Sequence, residues 1–260
     1  DRAHMRIRTI LLQRSSVKSL TFLGDMFDGV QCPCILLQLI ATGKPLSTAG
    51  MMIEDRTRTY TIAMERTVVP ENFSFRMTDE EYRVLEKIKN SIPVCYLADH
   101  ADFALGIVTG NNKKFLSAEK TQHSEMVLKG TDICKYHINP AKQYLRFEPE
   151  QFQQVAPLEI YRAPEKLLYR FISNQLVVAY DDRQMLSLNS CNIVIPKIEG
   201  MQIKYILAIL NSSVSQFVYQ KEFHSIKVLR AHMEHIPIPR VGKAIQNEII
   251  AMTEPLICGM

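Results

Sequence analysis

Apolar residues recur at helical spacing over residues 5–16, where Met5, Ile7, Ile10, Leu11 and Leu12 carry the repeat with no capping residue ahead of it. The spacing predicts a helix whose beginning is missing, so the chain is expected to be a piece of a longer protein. Two apolar runs follow, 17–23 and 32–42, joined by Gly24-Asp25-Met26-Phe27-Asp28-Gly29. They predict two strands, the second apolar enough to sit in the middle of a sheet. Two buried strands and part of a helix make no domain alone, so they are expected to close an α/β domain that starts upstream.

The pattern then becomes a connection over 43–57 and an alternating strand over 58–64. Thr78-Asp79-Glu80-Glu81 has the form of a capping box, which predicts a helix over 79–90 with Tyr82, Leu85 and Ile88 on one face and Pro93 beyond its end. From 94 to 239 short strands alternate with single helices. The clearest strands are 167–172, 176–180 and 191–196. Helical patterns over 204–210 and 213–219 are separated at Asn211-Ser212, and the prolines of His235-Ile236-Pro237-Ile238-Pro239 require extended backbone. A last helix is expected over 241–253.

Composition changes this picture little. The 260 residues are 47% hydrophobic with a net charge of +4, an ordinary globular balance. The longest apolar run, 32–41, falls far short of the roughly 20 residues a membrane helix needs. The six cysteines lack the spacing of a zinc site or a disulfide scaffold, and with no signal-peptide pattern at the start a cytoplasmic protein with reduced thiols is expected. The distribution of charge is more informative. Basic residues open the chain (Arg2, Arg6, Arg8, Arg14, Lys18), and others fall in polar or turn-like settings: Lys113, Lys114, Lys129, Lys135, Arg162, Lys166, Arg170, Arg183, Lys227 and Arg230. Gathered on one face they would track phosphates; scattered, they are ordinary solvated cations.

The catalytic signatures tested are absent. There is no Gly-x-Gly-x-x-Gly, no phosphate loop ending in Gly-Lys-Ser/Thr, no His-Glu-x-x-His and no Gly-x-Ser-x-Gly. His232 and His235 have no third ligand near them in sequence, which favours a structural role over a metal. Asp181-Asp182 fits a hairpin turn, and a carboxylate metal site with Glu222 and a lysine such as Lys221 or Lys227 is the alternative, a metal-dependent nuclease or phosphodiesterase. The stretch Phe103 to Phe115 is the most informative. An apolar strand runs straight into Thr109-Gly110-Asn111-Asn112-Lys113-Lys114, a plain hairpin turn or a donor-rich tip that approaches phosphate.

Five further segments follow that turn in order: Lys129-Gly130-Thr131-Asp132-Ile133-Cys134-Lys135-Tyr136, Tyr161-Arg162-Ala163-Pro164-Glu165-Lys166-Leu167-Leu168-Tyr169-Arg170, Leu188-Asn189-Ser190-Cys191-Asn192, Tyr205-Ile206-Leu207-Ala208-Ile209-Leu210-Asn211-Ser212, and Ile236-Pro237-Ile238-Pro239. The series resembles the TaqI-like C-terminal specificity domain, the target-recognition region of adenine-specific type II restriction-modification DNA methyltransferases, over about 88–240. Residues 22–40 resemble the last two strands of that family's methyltransferase domain.

The resemblance implies an α+β fold: a mixed-strand target-recognition domain (94–260) preceded by the terminal strands of a truncated α/β methyltransferase domain (1–45) and a connecting strand and helix (46–93). It implies double-stranded DNA and the missing upstream methyltransferase domain as partners, and no membrane. S-adenosylmethionine is expected in the full-length protein and no cofactor in this fragment. The catalytic Asn/Asp-Pro-Pro-Tyr/Phe loop is missing, since Asn139-Pro140 continues as Ala141-Lys142. The fragment is therefore expected to recognise DNA without methylating it; a protein-interaction domain derived from the same fold is a further alternative. The DNA-binding residues implied are Thr109, Gly110, Asn111, Asn112, Lys113 and Lys114 at the turn, with Lys135, Lys166, Lys227 and Arg230 supplying charge and Arg162 and Arg170 reading bases.

Overall fold

The structure is a computed structural model that describes residues 4–70, 75–223 and 225–259. Arg2 lies outside the described residues. The chain divides into two compact units, Asp1–Lys87 and Ile88–Met260.

The first unit contains α1 (Met5–Arg14), β1 (Ser15–Phe27), β2 (Val30–Ala41), β3 (Met52–Glu54), β4 (Thr59–Thr61) and most of α2 (Asp79–Asn90). Its sheet has the order β2-β1-β3-β4, with β1 antiparallel to β2 and parallel to β3. Val17 and Leu20 pack with Met51, Ile53, Ile62 and Phe75 in its core. The expected loop 24–29 is mostly strand. β1 runs through Gly24 to Phe27 by shifting register, with Gly24 at φ 71° beneath the Arg56 guanidinium, and only Asp28-Gly29 turns. β2 is not central, as its sequence suggested, but an edge strand with Ile35, Leu36 and Ile40 exposed. Apolar composition records what a strand could bury; its place depends on which strands it meets. The capping box forms: Thr78 N–H donates to Glu81 Oε2 (2.8 Å) and Glu81 N–H to Thr78 Oγ1 (3.3 Å).

The second unit runs β5 (Val94–Cys95), β6 (Ala101–Ala104), α3 (Asn112–Phe115), β7 (Leu116–Ser117), β8 (Glu125–Leu128), β9 (Tyr144–Leu145), α4 (Leu158–Tyr161), β10 (Lys166–Arg170), β11 (Val178–Asp181), β12 (Leu186–Ser187), β13 (Cys191–Pro196), α5 (Ile203–Asn211), α6 (Ser213–Glu222), α7 (Arg230–Met233), β14 (Ile238–Pro239) and α8 (Lys243–Ile257). The mixture of small sheets and segregated helices is the α+β class expected. One sheet has the order β11-β10-β13-β6, all antiparallel; a smaller one has the order β12-β8-β9-β7; β5 and β14 pair separately.

The larger sheet is covered on both sides, which explains why β10 and β13 read as unbroken apolar runs. Leu168, Ala179 and Ile193 lie in register and enter a core shared with Val127, Leu128 and Leu145 of the smaller sheet. Leu167 and Val194, in register on the opposite face, are also fully buried, and α5 packs on β10 and β11. The helical break falls where expected: Ser212 caps α6 by accepting from Ser215 N–H (3.1 Å). His235 and Ile236 are not extended but lie in the turn after α7; only 238–239 form strand.

The turn 188–190 joins several segments through backbone. Ile107 and Gly130 reach it from separate parts of the chain: Asn189 N–H donates to Ile107 C=O (3.1 Å), and Gly130 N–H to Ser190 Oγ (3.0 Å). A Cβ on Gly106 would run into the Leu188 carbonyl and one on Gly130 into the Ser190 carbonyl, so both approaches need glycine. Among the described residues no helix is long and apolar enough to cross a membrane.

Candidate nucleic-acid interface

The turn at 109–114 is built by its own side chains. Thr109 is buried and donates its hydroxyl to Asn112 Oδ1 (2.6 Å); Gly110 takes φ 77°; Asn111 caps α3 by accepting from Lys114 N–H (3.2 Å). Glycine is needed where φ is positive, and asparagine supplies the acceptor that starts the helical turn. Lys113 and Lys114 are left exposed, with the Lys114 ammonium 4.6 Å from the Phe115 ring centroid. Thr109 therefore shapes the tip, and the two lysines and Asn112 present it.

Most of the other expected contact residues are occupied inside the fold. Lys166 is fully buried against Asp181 (2.5 Å) and donates to the Tyr161 carbonyl (2.6 Å). Burial pulls its pKa down while the Asp181 carboxylate opposes that pull. A side chain with no exposed surface does not fit the expected phosphate contact. Arg170 donates Nε to Gly130 C=O (2.9 Å) and Nη2 to Ile133 C=O, so it holds the 130–133 loop and has no free fork for a base. Arg162 bridges Gln184 C=O (2.7 Å) and Glu125 (2.5 Å), and Lys135 reaches Asn211 C=O (3.2 Å). Arg230 is exposed, yet pairs with Glu234 (2.6 Å) over the face of Phe103. Lys227 is exposed.

Sequence reasoning missed this sorting because an arginine bound to carbonyls from distant segments looks, in one dimension, like an arginine free to bind guanine. A signal was present for Lys166: it opens an apolar strand and pairs in register with Asp181, the last residue of another.

The carboxylate alternative finds no geometry. Asp181 accepts from the backbone N–H groups of Arg183 and Met185 (both 2.9 Å) besides Lys166, which is turn chemistry, while Glu222 is buried in an ion pair with Lys89. Among the described residues no three His, Cys, Asp or Glu side chains are placed to hold a metal. His232 has a structural role. Its Nδ1 accepts from Leu229 N–H (3.2 Å) and its ring stacks on Phe223 at 4.5 Å. Burial lowers its pKa to about 4.

Residues 125–238, from the first residue of β8 to the first of β14, match the model of the TaqI-like C-terminal specificity domain. This segment belongs to that family. The specificity domain contains Lys135, Arg162, Lys166, Arg170, Lys227 and Arg230, whereas the turn at 109–114 precedes it. Among solved structures, a type IIL restriction-modification enzyme, MmeI, in complex with DNA superposes over 96% of this chain and 41% of its own, with TM-score 0.56 and 9% identity. The fold is shared with that enzyme over this length. The type IIG restriction endonuclease BpuSI matches 98% of this chain and 40% of its own (TM-score 0.43, 8% identity). The HsdS subunit from Thermoanaerobacter tengcongensis matches 69% and 43% (TM-score 0.41, 12% identity). The chain spans less than half the length of each of these proteins. No curated protein matches it.

Proposed function

We propose that this chain is the sequence-recognition part of an adenine-specific type II restriction-modification DNA methyltransferase, acting on double-stranded DNA in the cytoplasm of a bacterium. The specificity-domain match over 125–238 carries the reading. The exposed Asn112, Lys113 and Lys114 at a rigidly built tip support it, because cations and polar donors on fixed backbone set register on phosphates. Lys227 adds charge. Lys135, Arg162, Lys166, Arg170 and Arg230 serve by holding the loops that meet the DNA.

The first unit then closes the sheet of a methyltransferase domain supplied by other polypeptide. S-adenosylmethionine has no place among this chain's own residues: the sequence contains neither an Asn/Asp-Pro-Pro-Tyr/Phe loop nor a glycine-rich cofactor loop. Methyl transfer belongs to the partner domain, and recognition to this one.

The test is selection of duplexes from a randomised library by the purified chain at low salt, followed by a salt titration. Enrichment of fixed bases at a short site, with affinity falling steeply as salt rises, is expected. Salt-sensitive binding without base preference would reduce the chain to a phosphate binder, and no binding would remove the reading.

A further inference from the structure

The smaller sheet has an outward face that none of the expected contact residues occupies. Register places Leu116 beside Leu145, and Ser117, Tyr144 and Met126 abreast. Leu145 is fully buried and Leu116 packs on the core, so Ser117, Tyr144 and Met126 point outward, with Ser117 and Met126 exposed. Gln143 C=O accepts from Val127 N–H (3.0 Å), which keeps the chain extended ahead of β9. Lys142 and Arg146, two residues to either side of Tyr144, fall on its side by alternation, and both are exposed. At the rise of a strand they stand about 13 Å apart.

Two more segments bring cations to the same side. α3 leads directly into β7, so Lys113 and Lys114 sit at the sheet's edge. β7 and β8 both run antiparallel to β9, hence parallel to each other, and the short link 118–124 joins them. The inner face is filled by the core, so that link passes over the outer one with Lys120 exposed on it.

The carboxylates nearby are mostly engaged. Glu125 binds Arg162, Asp132 accepts from Lys129 N–H (2.8 Å), and Glu148 is shared by Arg146 (2.9 Å) and Gln151 (2.9 Å); Glu119 is exposed beside Lys120. Among the described residues Lys113, Lys114, Lys120 and Lys142 have no carboxylate partner within ion-pair distance. Unpaired like charges within a Debye length repel one another and add nothing to folding, so such a face fits an anionic partner better than a structural role.

Resting on the DNA-recognition reading above, we propose that Lys120, Lys142 and Arg146 join Lys113 and Lys114 in one phosphate-binding face on the outer side of the smaller sheet. Four of the five are lysines, compact point charges suited to phosphates rather than to base edges. The face supplies affinity and orientation, and leaves base reading to other side chains.

The experiment measures binding of the purified chain to one duplex of about 25 base pairs across a salt series by fluorescence anisotropy. Lys120→Ala/Lys142→Ala/Arg146→Ala should flatten the slope of log K against log salt by about 2 to 3, since each neutralised phosphate contributes about 0.9. Its urea midpoint should stay at the wild-type value. Arg240→Ala/Lys243→Ala, which removes exposed cations at β14 and the start of α8, should leave the slope in place. An unchanged slope in the triple variant, or an equal change per residue in the control, overturns the face while leaving DNA recognition standing. No duplex binding by the wild-type chain, even at low salt, overturns both.

Discussion

Two groups of cations in the second unit lie within a few tens of residues of each other and have opposite fates. Those of 162–170, together with Lys135, are turned inward, onto carbonyls and carboxylates that belong to distant parts of the chain. Those of 113–146 stand on short strands and links, with most of their charge directed to solvent. The difference arises from the elements beneath them. β10 is central and buried on both faces, so a cation at its end must find a partner or stay out of the fold. β7 and β9 bury one face only, and the other can carry charge at no desolvation cost. In a specificity domain the cations that fix loop shape and the cations that meet phosphate are therefore different residues.

The contrast is broken most severely at Lys166. Lys166→Met leaves Asp181 buried without its counter-charge and should cost about 3 to 5 kcal/mol in urea unfolding. Lys166→Met/Asp181→Asn should recover part of that loss. A cost under about 1 kcal/mol for the single variant would place Lys166 with the solvent-directed group. Arg170→Ala comes next: it strips Gly130 C=O and Ile133 C=O of a charged donor and should cost about 2 to 3 kcal/mol, with faster amide exchange confined to 129–139.

A smaller effect is expected from pH. His232 is held neutral because burial lowers its pKa to about 4, against about 6.5 when unfolded. The stability it contributes is intact above pH 6.5 and is lost as pH falls from 6.5 towards 4, because the unfolded chain takes up the proton first. Allowing for solvent screening of a partly exposed ring, the loss is about 1 to 2 kcal/mol. His232→Gln should abolish that slope between pH 6.5 and 4, and a slope that survives the substitution would assign it to another group. Smallest of all is the effect on stability at the other pole of the comparison. Lys113→Ala/Lys114→Ala should move the unfolding free energy by no more than about 0.5 kcal/mol while flattening the salt slope of duplex binding by up to about 2.

Much of the architecture was legible in the sequence. The capping box at Thr78–Glu81, the break at Ser212 and the apolar runs of β10 and β13 are local or periodic signals, and each formed as expected. Pairing was not legible. Nothing in β2 announces an edge position, and nothing in Arg170 announces that its fork will close on the carbonyls of Gly130 and Ile133, about forty residues earlier in the chain. The turn at 109–114 was visible as a tip because glycine, asparagine and lysine adjoin in the chain. The cations of Lys120, Lys142 and Arg146 meet it only through strand register, which composition does not encode.

The backbone hub at 188–190 sets limits on how this module can change its target. Ile107, Gly106 and Gly130 dock on it through main chain alone, at distances where no side chain fits. Residues on the outer sheet face, in contrast, touch little of the protein itself. New specificities are thus accessible by exchanging surface residues around an invariant junction, and a library that spares Gly106, Gly130 and the 188–190 turn should yield folded variants far more often than one that randomises them.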